Sequence, residues 1–270
     1  MAVRGIISYW WLPIISGLVW LGMLLGMLLH WVVDKNKQPY GFMDPDATIV
    51  YISDIGAAKL KPLFIAGSVV VTVFLDLSFV AERWLRHKGR LVPNASRGEK
   101  ALAVLTILFA LLGTAGLILL SIFDTKRHHR LHYVFLLFFI VGYLLSAIFT
   151  CWEYQRLGIK NRDHRVLRIS FWVKLTFVLV EFVLAIVFAG TTFTKHPNIA
   201  AIFEWVIAAV FTFYILSFFI DLYPAIFTKS RSARFAKPAT PMEMEEASPS
   251  SDTPRPHSRS HQGQAVQNGS

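Results

Sequence analysis

Six stretches of mostly apolar residues recur along the chain, and each is flanked by charged residues, proline, glycine or asparagine. A helix needs roughly 20 such residues to cross the hydrocarbon core of a bilayer, which is about 30 Å thick. The pattern predicts six transmembrane helices, with approximate bounds at Trp10 to Val33, Pro62 to Glu82, Ala101 to Phe123, Leu131 to Trp152, Ile169 to Gly190 and Asn198 to Leu222. The first stretch is too long for a signal-peptide core and no cleavage pattern follows it, so we expect it to be retained.

The composition is that of a membrane protein. Of the 270 residues, 54% are hydrophobic and only 16% are charged, and the mean hydropathy is +0.50. This apolar content exceeds what the core of a soluble domain requires. The predicted fold class is therefore an all-α, polytopic membrane protein with six transmembrane helices. Cys151 is the single cysteine, which excludes an intramolecular disulfide and a cysteine-rich zinc site.

Lysine and arginine are divided unevenly between the two sets of connections. One set holds 18 of the 27 basic residues, in segments 1–9, 83–100, 153–168 and the tail from 224. The other set holds 8, in segments 34–61, 124–131 and 191–199. Because cytoplasmic loops carry the excess of positive charge, we expect both termini in the cytoplasm. The same asymmetry accounts for the net charge of +10, so we expect no nucleic-acid partner.

The chain divides into a membrane domain and a tail. We assign residues 1–227 to a six-helix transmembrane domain and residues 228–270 to a cytoplasmic tail. The tail is rich in proline, serine and polar residues and has no apolar periodicity, so we expect it to be disordered. Its first ten residues, TKSRSARFAK, carry four basic residues directly after the last span. They favour an ordinary positive-inside anchor over a specific phosphoinositide site, although each charge near anionic lipid contributes about 1 kcal/mol.

Two sequence motifs resemble those of a known family. YISDIGA at 51–57 is followed by a span that starts with Pro-Leu-Phe at 62–64, and FDTKRHHRLHYVF starts at Phe123. Together with the six-span layout, these motifs resemble the DRAM family of damage-regulated autophagy modulators. That family includes fungal tacrolimus-sensitivity suppressors of the plasma membrane and Golgi proteins that remodel GPI-anchor lipids. The likeness covers about residues 10–225 and leaves out the tail.

The resemblance to the fungal suppressor branch carries functional expectations. It implies a multi-pass plasma-membrane protein that supports phosphatidylinositol 4-kinase recruitment and regulates phosphatidylinositol 4-phosphate and transbilayer lipid homeostasis. The expected partners are anionic phospholipids, phosphoinositides and the kinase complex, with no cofactor and no enzymatic activity. The alternative is a membrane enzyme or accessory in GPI-anchor lipid remodelling, in the Golgi, endoplasmic reticulum or vacuole. No glycine-rich phosphate loop, Cys-x-x-Cys pair or GxSxG elbow occurs in the chain.

Polar residues at the predicted outward side form a candidate site. Asp124, His128 and His132 follow an i, i+4, i+8 spacing, which places them on one face if the helix continues through the outward turn. Asp54 lies in the first outward loop, and Glu204 lies near the outer boundary of the last span. These side chains have the chemistry to bind a lipid headgroup or a divalent metal. Interfacial capping is the simpler alternative, and the metal question stays open.

Three further charged residues fall inside predicted spans. Asp76, Lys174 and Glu181 each cost at least about 2.5 kcal/mol at that depth unless they are neutralised or paired. Lys174 and Glu181 are seven residues apart and share one face of the fifth span, and an Asp76–Lys174 pair is possible across helices. An intramembrane polar layer of this kind either fixes helix register or lines a groove for a headgroup or proton. Ion transport is a further alternative, which the lack of an internal repeat disfavours.

Overall fold

The computed structural model describes residues 8–94, 96–228 and 235, and within them all regular structure is helical. The helices are α1 (Trp11–Leu29, continued by a π-helical segment at His30–Asp34), α2 (Ile52–Ala57), α3 (Lys61–His87), α4 (Arg97–Ile122), α5 (His129–Lys160), α6 (Arg165–Phe193) and α7 (Pro197–Leu222, followed by a 3-10 turn at Tyr223–Ile226). All except α2 are long and apolar enough to cross a membrane, which confirms the predicted six-span fold. The predicted tail at 228–270 lies outside the described residues, except for Thr228 and Phe235.

The spanning helices are longer than their apolar stretches alone. α3 ends five residues beyond its predicted end, with Arg86 and His87 in the last turn, where basic side chains interact favourably with the helix dipole. α4 begins with a capping box, in which the Ser96 side chain accepts from the Glu99 N–H and the Glu99 carboxylate accepts from the Ser96 N–H. Polar residues thus extend the helices past the apolar core.

The six long helices form a closed ring in chain order. α1 packs against α3 and α7, and each of the remaining neighbours in sequence also packs together, from α3 with α4 to α6 with α7. Successive helices therefore alternate in direction, and residues 8 and 228 lie at the same end. We call this end, with the connections at 88–96 and 161–164, the basic end. The other end, which carries α2 and the turns at 123–128 and 194–196, is the α2 end.

Small residues bring α4 and α5 into backbone contact. A side chain at Gly116 would come within 2.3 Å of the Phe139 backbone nitrogen, and one at Gly142 within 2.4 Å of the Gly113 nitrogen. The Ser146 hydroxyl on α5 donates to the Thr106 carbonyl on α4 at 2.9 Å. Close approach through glycine and serine is the usual packing mode of membrane helices. α6 has the loosest fit of the ring, with 17% of its membrane window buried, whereas the others have 33% or more.

The first loop at the α2 end folds back onto α7. The Asn198 side-chain oxygen accepts from the backbone N–H groups of Thr48 (2.7 Å) and Ile49 (2.9 Å), and the Trp205 indole donates to the Val50 carbonyl at 2.9 Å. α2 then packs so closely on α3 that a side chain at Gly56 would come within 2.4 Å of the Phe64 ring. These contacts fix the position of α2 over the ring.

Candidate functional site

A polar cavity of about 190 Å³ lies at the α2 end, bounded by the α2 region, α5, α6 and α7. Its lining combines three carboxylates, two imidazoles, two phenols and one lysine: Asp44, Asp54, Glu204, His129, His132, Tyr51, Tyr133 and Lys195. We call this the α2-end cavity. The YISDIGA motif thus has two roles, because Ile52 and Ile55 are buried in the core whereas Tyr51, Ser53 and Asp54 line the cavity.

Hydrogen bonds from α2 and from the α4–α5 turn hold two of the cavity carboxylates. The Glu204 carboxylate on α7 accepts from the Ile52 N–H at 2.6 Å, which satisfies a free donor in the first turn of α2. The Asp54 carboxylate accepts from the Thr125 hydroxyl at 3.0 Å. Glu204 therefore positions α2, and α2 in turn presents Asp54 to the cavity.

The cavity has an acidic electrostatic character. Burial, opposed by the Thr125 hydrogen bond, raises the pKa of Asp54. Burial raises the pKa of Tyr51 as well, and the nearby Glu204 and Asp54 carboxylates raise it further. Within the described residues, neither Asp54 nor Glu204 forms an ion pair. Among the described residues, no lysine or arginine is therefore paired with either carboxylate, although Lys195 lines the same cavity.

The predicted helical face of Asp124, His128 and His132 is wrong. α4 ends at Ile122 and α5 begins at His129, so a turn interrupts the helix between them. Asp124 instead binds Lys61 at 2.5 Å and accepts from the Arg127 N–H at 2.7 Å, and these contacts outweigh burial and lower its pKa. Asp124 and the exposed His128 do not line the cavity.

His132 lines the cavity as the sequence suggested, but it also has a structural contact. Its Nδ1 lies 3.0 Å from both the Leu120 and Phe123 carbonyl oxygens, which ties α5 to the end of α4. The neighbouring His129 lines the cavity without such a contact to a carbonyl. Across residues 8–94, 96–228 and 235, no three His, Cys, Asp or Glu side chains are grouped so as to hold a metal ion.

The three intramembrane charges do not form one layer. The Asp76 carboxylate accepts from the Thr114 hydroxyl at 2.9 Å, and Thr114 lies 2.8 Å from the Tyr143 hydroxyl. Lys174 is fully buried and pairs with Asp221 on α7, so the Asp76–Lys174 pair that the sequence allowed does not form.

Glu181 has no comparable partner in the described part of the chain. It lines an apolar groove between α5, α6 and α7, and its Oε1 atom is buried without a hydrogen bond. We call this the α5–α6–α7 groove. Although seven residues separate Lys174 and Glu181, the first side chain is buried in an ion pair and the second borders this groove.

The basic end buries a second set of charges, all of them paired. Arg86 donates to Glu82 at 2.7 Å, Arg83 pairs with Glu153, and the Tyr154 hydroxyl donates to Glu82 at 2.7 Å. Asp221, near the same end of α7, pairs with Lys174 on α6. The buried carboxylates of the basic end therefore have basic partners, whereas Asp54 and Glu204 in the α2-end cavity have none among the described residues.

A family model described as the Frag1/DRAM/Sfk1/Cwh43P N-terminal domain matches residues 8–225, which include all six spanning helices apart from the last residue of the final turn. The chain belongs to the Frag1/DRAM/Sfk1 family. This confirms the resemblance inferred from YISDIGA and the motif at Phe123. It also makes the chain a multi-pass membrane protein of the Sfk1 group.

Two yeast members of the Frag1/DRAM/Sfk1 family are similar over much of the chain. Protein sfk1 of Schizosaccharomyces pombe is 32% identical over 219 residues, which cover 81% of this chain and 65% of that protein. Protein SFK1 of Saccharomyces cerevisiae is 30% identical over 173 residues, or 54% of this chain and 49% of that protein. The match thus spans less than two thirds of either relative. No solved structure matches the chain.

Proposed function

We propose that this protein is a non-enzymatic, lipid-binding component of the plasma membrane that regulates phosphatidylinositol 4-phosphate and transbilayer lipid homeostasis. The observation that carries the proposal is the α2-end cavity, which combines carboxylates, phenols and imidazoles at one end of a membrane-spanning ring. Such a cavity suits a lipid headgroup, because polar groups there meet the membrane interface while the helices below are apolar. By the positive-inside rule, this cavity faces outward.

The basic end supports the second half of the proposal. Its connections contain Arg162, Arg165 and Arg168 close together at the start of α6, and these residues border two cavities there. In the proposed orientation they face the cytoplasmic leaflet, whose anionic lipids attract such side chains. We propose that a phosphatidylinositol 4-kinase complex is recruited at this end.

A cellular complementation experiment tests the proposed function. Cells that lack this protein would receive the fluorescently tagged wild type, Asp54→Ala or Asp34→Ala, together with a phosphatidylinositol 4-phosphate reporter. Asp34 is the matched control, since it is an exposed acid at the same end that pairs with His30 outside the cavity. We expect surface localisation of all three proteins and restoration of the reporter signal by the wild type and Asp34→Ala alone.

Other outcomes would contradict the proposal. Internal localisation with an unchanged reporter would favour the alternative role in GPI-anchor lipid remodelling. Equal restoration by Asp54→Ala would show that the α2-end cavity does not contribute to the function.

A further inference from the structure

The α5–α6–α7 groove has the dimensions of a single leaflet. Its lining extends from Phe139 to Ala147 on α5, from Phe177 to Ala185 on α6 and from Ile207 to Tyr214 on α7. Each range covers about 10 to 12 Å of helix at 1.5 Å per residue. Half of a hydrocarbon core about 30 Å thick is roughly 15 Å. Because the enclosed space is only about 50 Å³, an acyl chain would lie along this lining, through most of one leaflet, and not inside a closed cavity.

The groove begins one helical turn below the α2-end cavity on each of its three helices. The neighbouring pairs, with the cavity residue first, are Leu136 and Ile140 on α5, Phe188 and Ala185 on α6, and Glu204 and Ile207 on α7. Residues three or four apart lie on the same helix face. The polar cavity and the apolar groove thus lie one above the other in the same crevice.

The size of the cavity also favours a shared ligand. Its volume of about 190 Å³ is below the roughly 300 to 1,000 Å³ of a pocket that encloses a small molecule of drug size. It can hold a headgroup but not a whole lipid. An amphiphile bound there must place its apolar part elsewhere, and the adjacent groove offers an apolar surface.

The lining indicates the charge of the headgroup. Asp54 and Glu204 form no ion pair in the described part of the chain, and the phenol rings of Tyr51 and Tyr133 border the same cavity. Carboxylates together with aromatic rings favour an ammonium group, which gains both ionic and cation–π attraction. Lys195 is the one lysine among the lining residues and suits a phosphate.

We propose that the α2-end cavity and the α5–α6–α7 groove form one site for a single zwitterionic phospholipid with an ammonium headgroup. The ammonium lies against Asp54 and Tyr51, the phosphate lies toward Lys195, and one acyl chain descends between α5 and α6. This inference rests on the proposed function, because it specifies the lipid that the outward cavity binds.

Photocrosslinking tests both parts of the site. The full chain would be placed in nanodiscs that contain a phosphatidylcholine with a diazirine in the middle of one acyl chain, and the adducts would be mapped by mass spectrometry. Phosphatidylglycerol with the same labelled chain is the control lipid, since it lacks the ammonium. Ala185→Phe fills the groove, and Val183→Phe adds the same ring at a position of α6 that is 57% exposed. Asp54→Asn removes the cavity charge, and Asp34→Asn is its control.

We expect adducts on the groove-lining segments of α5, α6 and α7 with phosphatidylcholine. Asp54→Asn and Ala185→Phe should each lower them about tenfold, the effect of losing one charge-assisted or fully packed contact. Val183→Phe and Asp34→Asn should give the same adduct yield as the wild type. The thermal unfolding temperature should be the same for all variants.

Two results would overturn the inference, and they differ in what they say about the proposed function. Equal labelling by phosphatidylglycerol that still depends on Asp54 would refute the ammonium headgroup but leave a lipid-binding cavity. Labelling that is spread evenly over the lipid-facing surface, and is the same in every variant, would refute the site together with the proposed function.

Discussion

The acidic side chains of the basic end and those of the α2-end cavity are buried in opposite ways. At the basic end, Glu82, Glu153 and Asp221 each contact a basic side chain, and the pairs join different helices or successive turns. At the α2 end, Asp54 and Glu204 form no ion pair in the described part of the chain and border a cavity. Paired buried charges fix the arrangement of helices, whereas unpaired ones beside a cavity remain available to a ligand. The comparison therefore separates acidic side chains that hold helices together from acidic side chains that can meet a ligand.

The largest effect is expected from the Lys174–Asp221 pair. Lys174→Met leaves the buried Asp221 carboxylate without its cation, and the free energy of unfolding should fall by about 3 to 5 kcal/mol. The double variant Lys174→Met/Asp221→Leu removes both charges and should recover most of that loss. Equilibrium unfolding in detergent measures both. Equal losses in the single and double variants would show that the ion pair is not what the fold depends on.

A smaller effect is expected at Lys61, which joins the start of α3 to the α4–α5 turn through Asp124. Lys61→Met should lower the free energy of unfolding by about 1 to 3 kcal/mol at pH 7. The exposed Lys59, changed to Met, is the control and should have little effect.

The Lys61 effect should depend on pH in a defined direction. Because the pKa of Asp124 is lowered in the folded protein, its charge stabilises the fold above the ordinary aspartate pKa of about 3.9. That stabilisation is lost as the pH falls through the lowered pKa. The difference between wild type and Lys61→Met should therefore vanish in strong acid. A difference that is constant from pH 7 to pH 2 would contradict the pairing.

Glu181 tests the same comparison at an unpaired acid, since this half-buried residue has a carboxyl oxygen that is buried without a hydrogen bond in the described residues. Glu181→Leu should raise the free energy of unfolding by about 1 kcal/mol, because it removes an unsatisfied polar atom. It should also increase lipid labelling of the α5–α6–α7 groove. Glu181→Gln keeps the polar atom and should resemble the wild type. If Glu181→Leu lowered the free energy of unfolding as much as Lys174→Met does, Glu181 would have a partner on which the fold depends.

Hydropathy and charge predicted the six spans because crossing a bilayer constrains every residue in a long stretch. Side-chain partners are a different matter. Depth along the helices placed Lys174 at the level of Asp76. The rotation of α6 about its axis, however, turns the Lys174 side chain toward Asp221. That rotation depends on packing against other helices, which the sequence of α6 alone does not determine. Helical spacing likewise joined Asp124 to His132, but the chain turns between Ile122 and His129.

The α2-end cavity was predictable in part. Asp54 and His132 were identified because carboxylate and imidazole groups gather at the predicted outward side, and both line the cavity. Glu204 appeared only as an acid near a boundary, and its contact with the start of α2 joins residues 152 positions apart. Tyr51 and Tyr133 gave no signal of their own, since tyrosine is common at membrane interfaces.

The central claim is that Asp54 serves a ligand and not the fold, and ligand-induced stabilisation tests it most directly. Thermal unfolding of the wild type and Asp54→Asn would be followed in detergent as short-chain phosphatidylcholine is added. Without lipid, the two Tm values should agree. With lipid at about 100 times the wild-type Kd, the wild type should gain about 2.7 kcal/mol, whereas Asp54→Asn, which binds about tenfold more weakly, should gain only about 1.4 kcal/mol and show a smaller rise in Tm. An equal rise in both proteins, or a large drop in Tm for Asp54→Asn without lipid, would contradict the account.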